Sequence, residues 1–516
     1  MKKQMYGIIG LGAAVAVLGG GLAVLKLTDK SGDDNSSSSV EFQETTVEGA
    51  DLVLIEDSDK AVGSHTSAQE HYHGSVKEVK VTNEHGTMEA VLKTPADAEK
   101  GTSAVYTIKG FEDLPLDDSE VEDLADNIDA LTSSSLIEEN CTDFDKFGLE
   151  NPAVTVEVKY ESGRSHTLYV GDISPVSNQT YVRVDDSKTV YTVTNGKMAD
   201  YKNKPEDFIS LTMLEKPEDD AYPKVESLRI VRDDIDYDIY MEYGKNSDIE
   251  NSGGGSATHV LVEPTSALLT VEKSSLVTNG MFGLKAESVK YAHFTDKQLE
   301  ETGLSKPFCT ADMKCDDGNE YVIYMSQPFK DDDGVQKAYA MFSDSKIIYT
   351  VTTEKAQWAT VVPDDIVSRM MVSNYVWNIS EIAASNATVS EKFSISMRDS
   401  SIKTNEAKID DVVVKRNGEG FDTERYRLFY AFLVNLHAEN LALGEAIPEG
   451  KPMATVTIKD SLLNETTTYE FYEYSVMKGL VVINGESKFF CSMKNAQALA
   501  DNISRIATGE SYIEAT

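Results

Sequence analysis

The residues able to do chemistry are few, and their spacing is poor. Of the eight histidines, His65, His71, His73 and His85 fall in one stretch. His71 and His73 beside Glu70 would put two imidazoles on one strand face, a start toward a transition-metal site. No third ligand stands at a fixed spacing, so a solvated loop is the competing reading and no metal is expected. The four cysteines, Cys141, Cys309, Cys315 and Cys491, are too few for a disulfide-built scaffold. Cys309 and Cys315 in one strand would stand roughly 20 Å apart, against the limit of about 7 Å for a disulfide. Isolated buried thiols are the expectation. Ser187-Lys188, Ser345-Lys346 and Ser487-Lys488 invite a Ser/Lys hydrolase reading. Adjacent residues on a hairpin point to opposite faces, so each lysine is badly placed to activate its neighbour. Asp331-Asp332-Asp333-Gly334 fails the calcium-loop register, because Phe329 and Ala340 would stand at the first and twelfth ligand positions. An acidic turn is the better account. No phosphate-binding loop, His-Glu-x-x-His helix or nucleophile elbow occurs. The expectation is a non-enzymatic protein without a cofactor.

The elements that must hold these residues belong to a globular chain. It has 516 residues, 41% of them hydrophobic, enough for about three or four domains. With 48 basic and 87 acidic residues the net charge is −39, which repels phosphate backbones and argues against nucleic acid as a partner.

Residues 6–25, YGIIGLGAAVAVLGGGLAVL, carry no charge and would span about 30 Å as a helix, the thickness of a hydrocarbon core. A cleaved signal peptide would be shorter and would end in a small-x-small site. The expectation is therefore a transmembrane helix over 6–27, residues 1–5 cytoplasmic, and everything after it extracytoplasmic at the cell membrane, a single-pass topology that the flanking lysines support only mildly. Gly12, Ala16 and Gly20 make a small-residue stripe suited to helix packing in the membrane. Residues 28–46, rich in serine and acid, read as a tether.

Beyond the tether the chain repeats itself. YVRVDDSKTVYTV at residues 181–193, YAMFSDSKIIYTV at 339–351 and VVINGESKFFCSM at 481–493 each place apolar residues around a polar turn bearing a Ser-Lys pair. This is β-hairpin chemistry. Pro205-Glu206-Asp207-Phe208 precedes Pro363-Asp364-Asp365-Ile366 by the offset that separates Ser187 from Ser345, and proline followed by acids suits a helix start. Gly148-Leu149 with Pro152 matches Gly303-Leu304 with Pro307. Residues 76–81, 227–231 and 393–397 read as the opening strands of the three units. Helices are expected over 119–136, with Val121, Leu124, Ile128 and Leu131 on one face, over 424–443 and, less clearly, over 275–292. The resulting fold class is α+β: an N-terminal transmembrane helix followed by three tandem repeated α+β units with antiparallel sheets, at 47–216, 217–373 and 374–516. Each should own a separate core in an elongated arrangement, with Ser187, Ser345 and Ser487 in equivalent turns and each following segment returning as a helix.

The apolar N-terminal run, the GLENP turn, TLYVGD at 167–172, the first hairpin and the PEDF helix start together resemble the bacterial domain of unknown function 4340. The resemblance is clearest over residues 147–214. It implies a single-pass envelope protein encoded beside ABC-type exporter components, with integral-membrane transporter subunits as partners, and it implies no catalytic residues. The leading expectation is an accessory or scaffold protein of an ABC-type envelope transporter complex. The alternatives are a surface binding module for glycan, peptide or cations, and an envelope hydrolase using scattered carboxylates.

Overall fold

The computed structural model describes residues 51–65, 73–218, 221–250 and 257–516. The expected membrane span over 6–27, with Gly12, Ala16 and Gly20, lies outside them, as does His71.

The α+β expectation is corrected. The chain is mainly β, with 39% strand against 18% helix, in four sheets. No helix among the described residues is long and apolar enough to cross a membrane.

In the first unit the strands are β1 (Val53–Ile55), β2 (Val76–Asn83), β3 (Gly86–Thr94), β4 (Val105–Ile108), β5 (Leu131–Thr132), β6 (Ser135–Glu138), β7 (Val154–Tyr160), β8 (Ser165–Ile173), β9 (Thr180–Val184) and β10 (Val190–Val193). They form an eight-stranded sheet in the order β4-β3-β2-β7-β8-β9-β10-β6, and β1 pairs apart with β5. The second unit supplies β11 (Val225–Arg232), β12 (Ile239–Tyr243), β13 (His259–Glu263), β14 (Ala267–Leu268), β15 (Ser288–Ala292), β16 (Cys309–Cys315), β17 (Glu320–Met325), β18 (Phe329–Lys330), β19 (Gln336–Phe342) and β20 (Ile347–Thr352). Their order is β14-β13-β12-β11-β16-β17-β19-β20-β15, with β18 on β19. The third contains β21 (Ile379–Asn386), β22 (Ser390–Met397), β23 (Val412–Arg416), β24 (Glu419–Phe421), β25 (Ala438–Leu441), β26 (Ala454–Asp460), β27 (Glu465–Glu473), β28 (Lys478–Ile483) and β29 (Glu486–Ser492), in the order β24-β23-β22-β21-β26-β27-β28-β29-β25. One strand order thus recurs three times. The only additions are an extra edge strand in the second and third sheets and β18.

Alternation makes these strands. In β7, β16 and β26 every second residue is buried: Val154, Val156 and Val158; Cys309, Ala311 and Met313; Ala454, Val456 and Ile458. The opposite face of the first sheet is held in register by cross-strand ion pairs, Lys80–Glu157 at 2.6 Å and Lys159–Glu78 at 2.7 Å. Such exposed pairs contribute about 0.2–1 kcal/mol each.

Three element expectations need correction. The opening strand of the third sheet is β21, and residues 393–397 lie in the second strand, β22. The long helices are short. The expected 119–136 is the helix Asp118–Asp126 followed by β5 and β6, because Ala130 turns the chain at φ 51°. Likewise 275–292 resolves into Val271–Thr278 and β15, and 424–443 into Thr423–Val434 and β25. The proline-acid starts yield single turns, Pro205–Phe208 and Pro363–Ile366. A full helix returns only after the third sheet, Met493–Thr508. Its Leu499, Ile503 and Ile506 are buried, and Asn495 and Asn502 bind the backbone of Thr516 and Ile513.

Separate cores are also not found. The first sheet has its own buried cluster, but the second and third share one continuous cluster, which also takes in Leu114 and Ile209 from the first unit. On the back of each sheet lies a smaller cluster. In the first unit Phe147 and Leu149 cover it by passing over Gly171, where a Cβ would lie 2.2 Å from the Phe147 carbonyl oxygen. The strand register puts Ser326 at this place in the second unit and Tyr472 in the third. Tyr472 fills the space itself, and no helix covers the third cluster.

Candidate functional site

Most of the chemistry-bearing residues are accounted for by packing. His73 is exposed, with Nδ1 3.2 Å from the Asp129 carboxylate, and among the described residues no group of three possible metal ligands forms. All four cysteines are free and buried. Burial pushes the Cys309 and Cys491 thiols up to about 12 and Cys315 up to about 11, so they stay protonated. Asp331 caps its own turn by accepting the Asp333 and Val335 N–H groups and pairs with Lys337 at 2.9 Å.

A denser polar group lies at the start of the first unit. Glu56 and Asp57 are buried. Asp57 accepts from Ser162 Oγ and from Arg164, whose guanidinium also binds Asp59 at 2.6 Å. Asp185 holds the His166 imidazole 2.8 Å away, and that hydrogen bond raises the histidine against the opposing effect of burial. Burial pushes the Asp185 carboxyl up, yet His166 and the Thr167 N–H outweigh it and leave Asp185 below its usual range. The first set of contacts ties residues 57–59 to the turn after β7, and the second ties β8 to the turn after β9.

The three Ser-Lys pairs sit in the same hairpin, β9–β10, β19–β20 and β28–β29, but only the first two lie in its turn. Ser487 and Lys488 belong to strand β29, with Ser487 opposite Val482, because the third turn is the tighter Asn484-Gly485. Ser187 Oγ accepts the Thr189 N–H at 3.1 Å and Ser345 Oγ the Ile347 N–H at 3.0 Å, so both hydroxyls shape the turn. The lysines point out of the unit. Lys346 crosses to the first unit and binds the Asp113 carboxylate, which His293 Nε2 also meets at 2.9 Å. The His293 ring stacks on Phe111 of the first unit, centroids 5.7 Å apart. Lys488 crosses to the second unit and donates to Thr265 Oγ1 at 2.9 Å. Lys188 is exposed, its carbonyl accepts the Cys141 N–H at 2.7 Å, and its ammonium pairs with no group among the described residues.

Asp113 and Thr265 occupy the same loop of their units, between the third strand and the helix, and this loop is one half of a repeated joint. The chain leaving the first unit after Pro205–Phe208 bridges Leu116 through Ile209, with Ser210 N–H on the Pro115 carbonyl at 2.8 Å. It then bridges Lys285 through Thr212, and Ala286 N–H bonds the Leu211 carbonyl at 2.8 Å. Leaving the second unit, Val367 bridges Leu269, Ser368 N–H bonds the Leu268 carbonyl at 2.8 Å, Met370 bridges His437, and Ala438 N–H bonds the Arg369 carbonyl at 2.8 Å. Each of these four backbone contacts of the first connector has its counterpart in the second. In the first unit the place is filled from the N-terminal side: Ser133 N–H bonds the Leu52 carbonyl at 2.8 Å, and β1 continues the pairing.

The joint is electrostatically set. Lys346 first, and His293 second, hold the Asp113 carboxyl down at about 2. Phe111, Asp113, Thr265 and His293 escaped sequence reasoning, because their partners lie far away along the chain. The one signal available was the recurrence of the lysine that meets them.

No curated protein and no solved structure matches the chain. Residues 107–254 match the family model described as Domain of unknown function (DUF4340), a stretch running from within β4, through the first hairpin and first connector, to beyond β12. Over those residues the chain is similar to the domain of unknown function 4340.

Proposed function

We propose that this protein is a non-catalytic accessory or scaffold of a membrane transporter complex of ABC type, working at the cell membrane with its described units on the extracytoplasmic side. The observation that carries the reading is the repeated joint. Two connectors that share four backbone contacts and a core shared by the second and third sheets make the units one continuous body, suited to holding partners at a set distance. The buried, protonated thiols and the turn-capping serines support a structural use of those side chains. A membrane address draws on the uncharged stretch at residues 6–25 of the sequence, and the transporter on the family likeness. The test is crosslinking of the full-length protein in its native membranes, followed by purification in mild detergent. Co-purification of a permease or an auxiliary membrane subunit is the expected result. Recovery of the free protein alone would overturn the reading.

A further inference from the structure

We infer that the helices Thr423–Val434 and Met493–Thr508 of the third unit form a recognition groove for an extended peptide segment. The chain's own residues 510–516 hold that groove, and a segment of a partner protein with an acid two residues before an aromatic takes their place. Naming the donor a partner rests on the accessory reading above, which the inference deepens with a surface and a chemistry.

The groove reads main chain. Asn502 accepts the Ile513 N–H at 2.7 Å and donates to the Ile513 carbonyl at 2.9 Å. Asn495 does the same with Thr516, at 3.0 and 3.1 Å. One side-chain amide thus satisfies both polar groups of one extended residue, as a neighbouring strand would. From Asn495 to Asn502 is two helical turns, about 10.5 Å, and from Ile513 to Thr516 is about 10 Å of extended chain. Rise and register match. Asparagine belongs mostly at the surface, yet Asn495 is 3% exposed and Asn502 fully buried, because a backbone meets each of them.

The other end of the groove sets the chemistry of its occupant. Arg505 donates to the Ser511 carbonyl, and Arg425 to that of Glu510 at 2.7 Å. The Glu510 carboxylate lies 3.9 Å from the Arg505 guanidinium. The Tyr512 ring lies 4.7 Å from the Arg425 guanidinium and packs on Phe429, centroids 5.7 Å apart. The segment that fits is an acid, an unrestricted residue, an aromatic, and then a residue other than proline to meet Asn502. Tyr512 Oη is buried with no hydrogen-bond partner among the described residues, so phenylalanine serves there equally.

The resident segment is suited to exchange. None of residues 510–516 is fully buried, and none belongs to a helix or strand. Gly509, at φ 81°, turns the chain out of the helix just before it. What lies beneath is amide and guanidinium, groups that water also satisfies. Main-chain bonds give such a site its affinity and one side-chain slot its selectivity, so an incoming segment with the right aromatic competes with the resident one. The net charge of −39 disfavours a second copy as donor, since two such chains repel.

The test uses the full-length protein and the synthetic peptide Gly-Glu-Ser-Phe-Ile-Glu-Ala-Thr, capped at both ends. With the peptide in excess, deuterium exchange of the wild-type protein should rise roughly threefold or more over residues 510–516, with strands β21 and β26 unchanged. Labelled peptide should bind Tyr512→Ala protein about fivefold or more tightly than wild type, because a weakened resident leaves the groove open longer. Thermal unfolding checks the fold of that variant. Proline in place of the peptide's isoleucine should abolish both effects, since it removes the N–H that Asn502 accepts. No rise in exchange at saturating peptide, or equal action of the proline peptide, would overturn the inference. A dimer in sedimentation that Tyr512→Ala dissolves would overturn the choice of a partner protein in favour of a second copy. The peptide experiment needs no transporter subunit. Its failure beside intact co-purification would remove this groove and leave the accessory reading standing.

Discussion

Leu114→Ala tests the joint most directly, because Leu114 belongs to the first unit in sequence and to the core of the second and third in packing. At 8% exposure almost its whole side chain is out of water. Truncation to alanine removes three carbons, about 2.4 kcal/mol at roughly 0.8 kcal/mol per buried methylene group. The cavity adds to this wherever the walls do not relax, so the expected loss is about 2.5–4 kcal/mol. The walls are poorly placed to collapse, since Ile209 beside it is fixed by the bridge to Leu116. The loss should fall on the joint: urea unfolding should begin earlier, and hydrogen exchange should accelerate at residues 209–214 and 284–286 before strands β2 and β7 are affected. A loss below about 1 kcal/mol, or faster exchange confined to the first sheet, would refute the claim that Leu114 couples the units.

Two further outcomes follow from particular contacts. Gly171→Ala should destabilise the first unit by about 1–3 kcal/mol in urea titration, because the new Cβ meets the Phe147 carbonyl oxygen at 2.2 Å. Gly420→Ala, in strand β24 at ordinary φ where a Cβ meets nothing, is the control for the glycine-to-alanine change without the clash. The Asp113 carboxyl is depressed to about 2, so its contribution to the joint is present above the ordinary carboxylate value near 3.9 and is lost as pH falls from there through 2. Exchange at the first connector should therefore rise in that window in the wild-type protein, and the rise should be absent in Asp113→Asn.

What could be read beforehand was local. Val121, Leu124, Ile128 and Leu131 are all buried, as a single apolar face requires, although the helix ends at Asp126 and Leu131 belongs to a strand. Periodicity reports which side chains face inward, and a bend at Ala130 preserves that face while changing the element. The strand β21 went unread because Ser380, Ala383, Ala384 and Ser385 give it little β-forming signal. Tertiary pairing with β22 and β26 makes it a strand nonetheless.

The end of each first strand shows the same division. Asn83 donates to the carbonyls of Tyr201 and Asn203, Arg232 to that of Val361, and Asn386 to that of Ala500. Three different side chains do one task, pinning the segment after the last strand, and no sequence pattern links asparagine to arginine.

By itself the amino-acid sequence determined the hairpins, their turn chemistry and their threefold recurrence, since each depends on residues a few positions apart. It also set the net charge of −39. Only the tertiary structure decided the common strand order, the fusion of the second and third cores, and the meeting of Lys346 with Asp113. Those depend on which surfaces the connectors bring together, and a connector's own six or so residues carry no mark of the loops they will bridge.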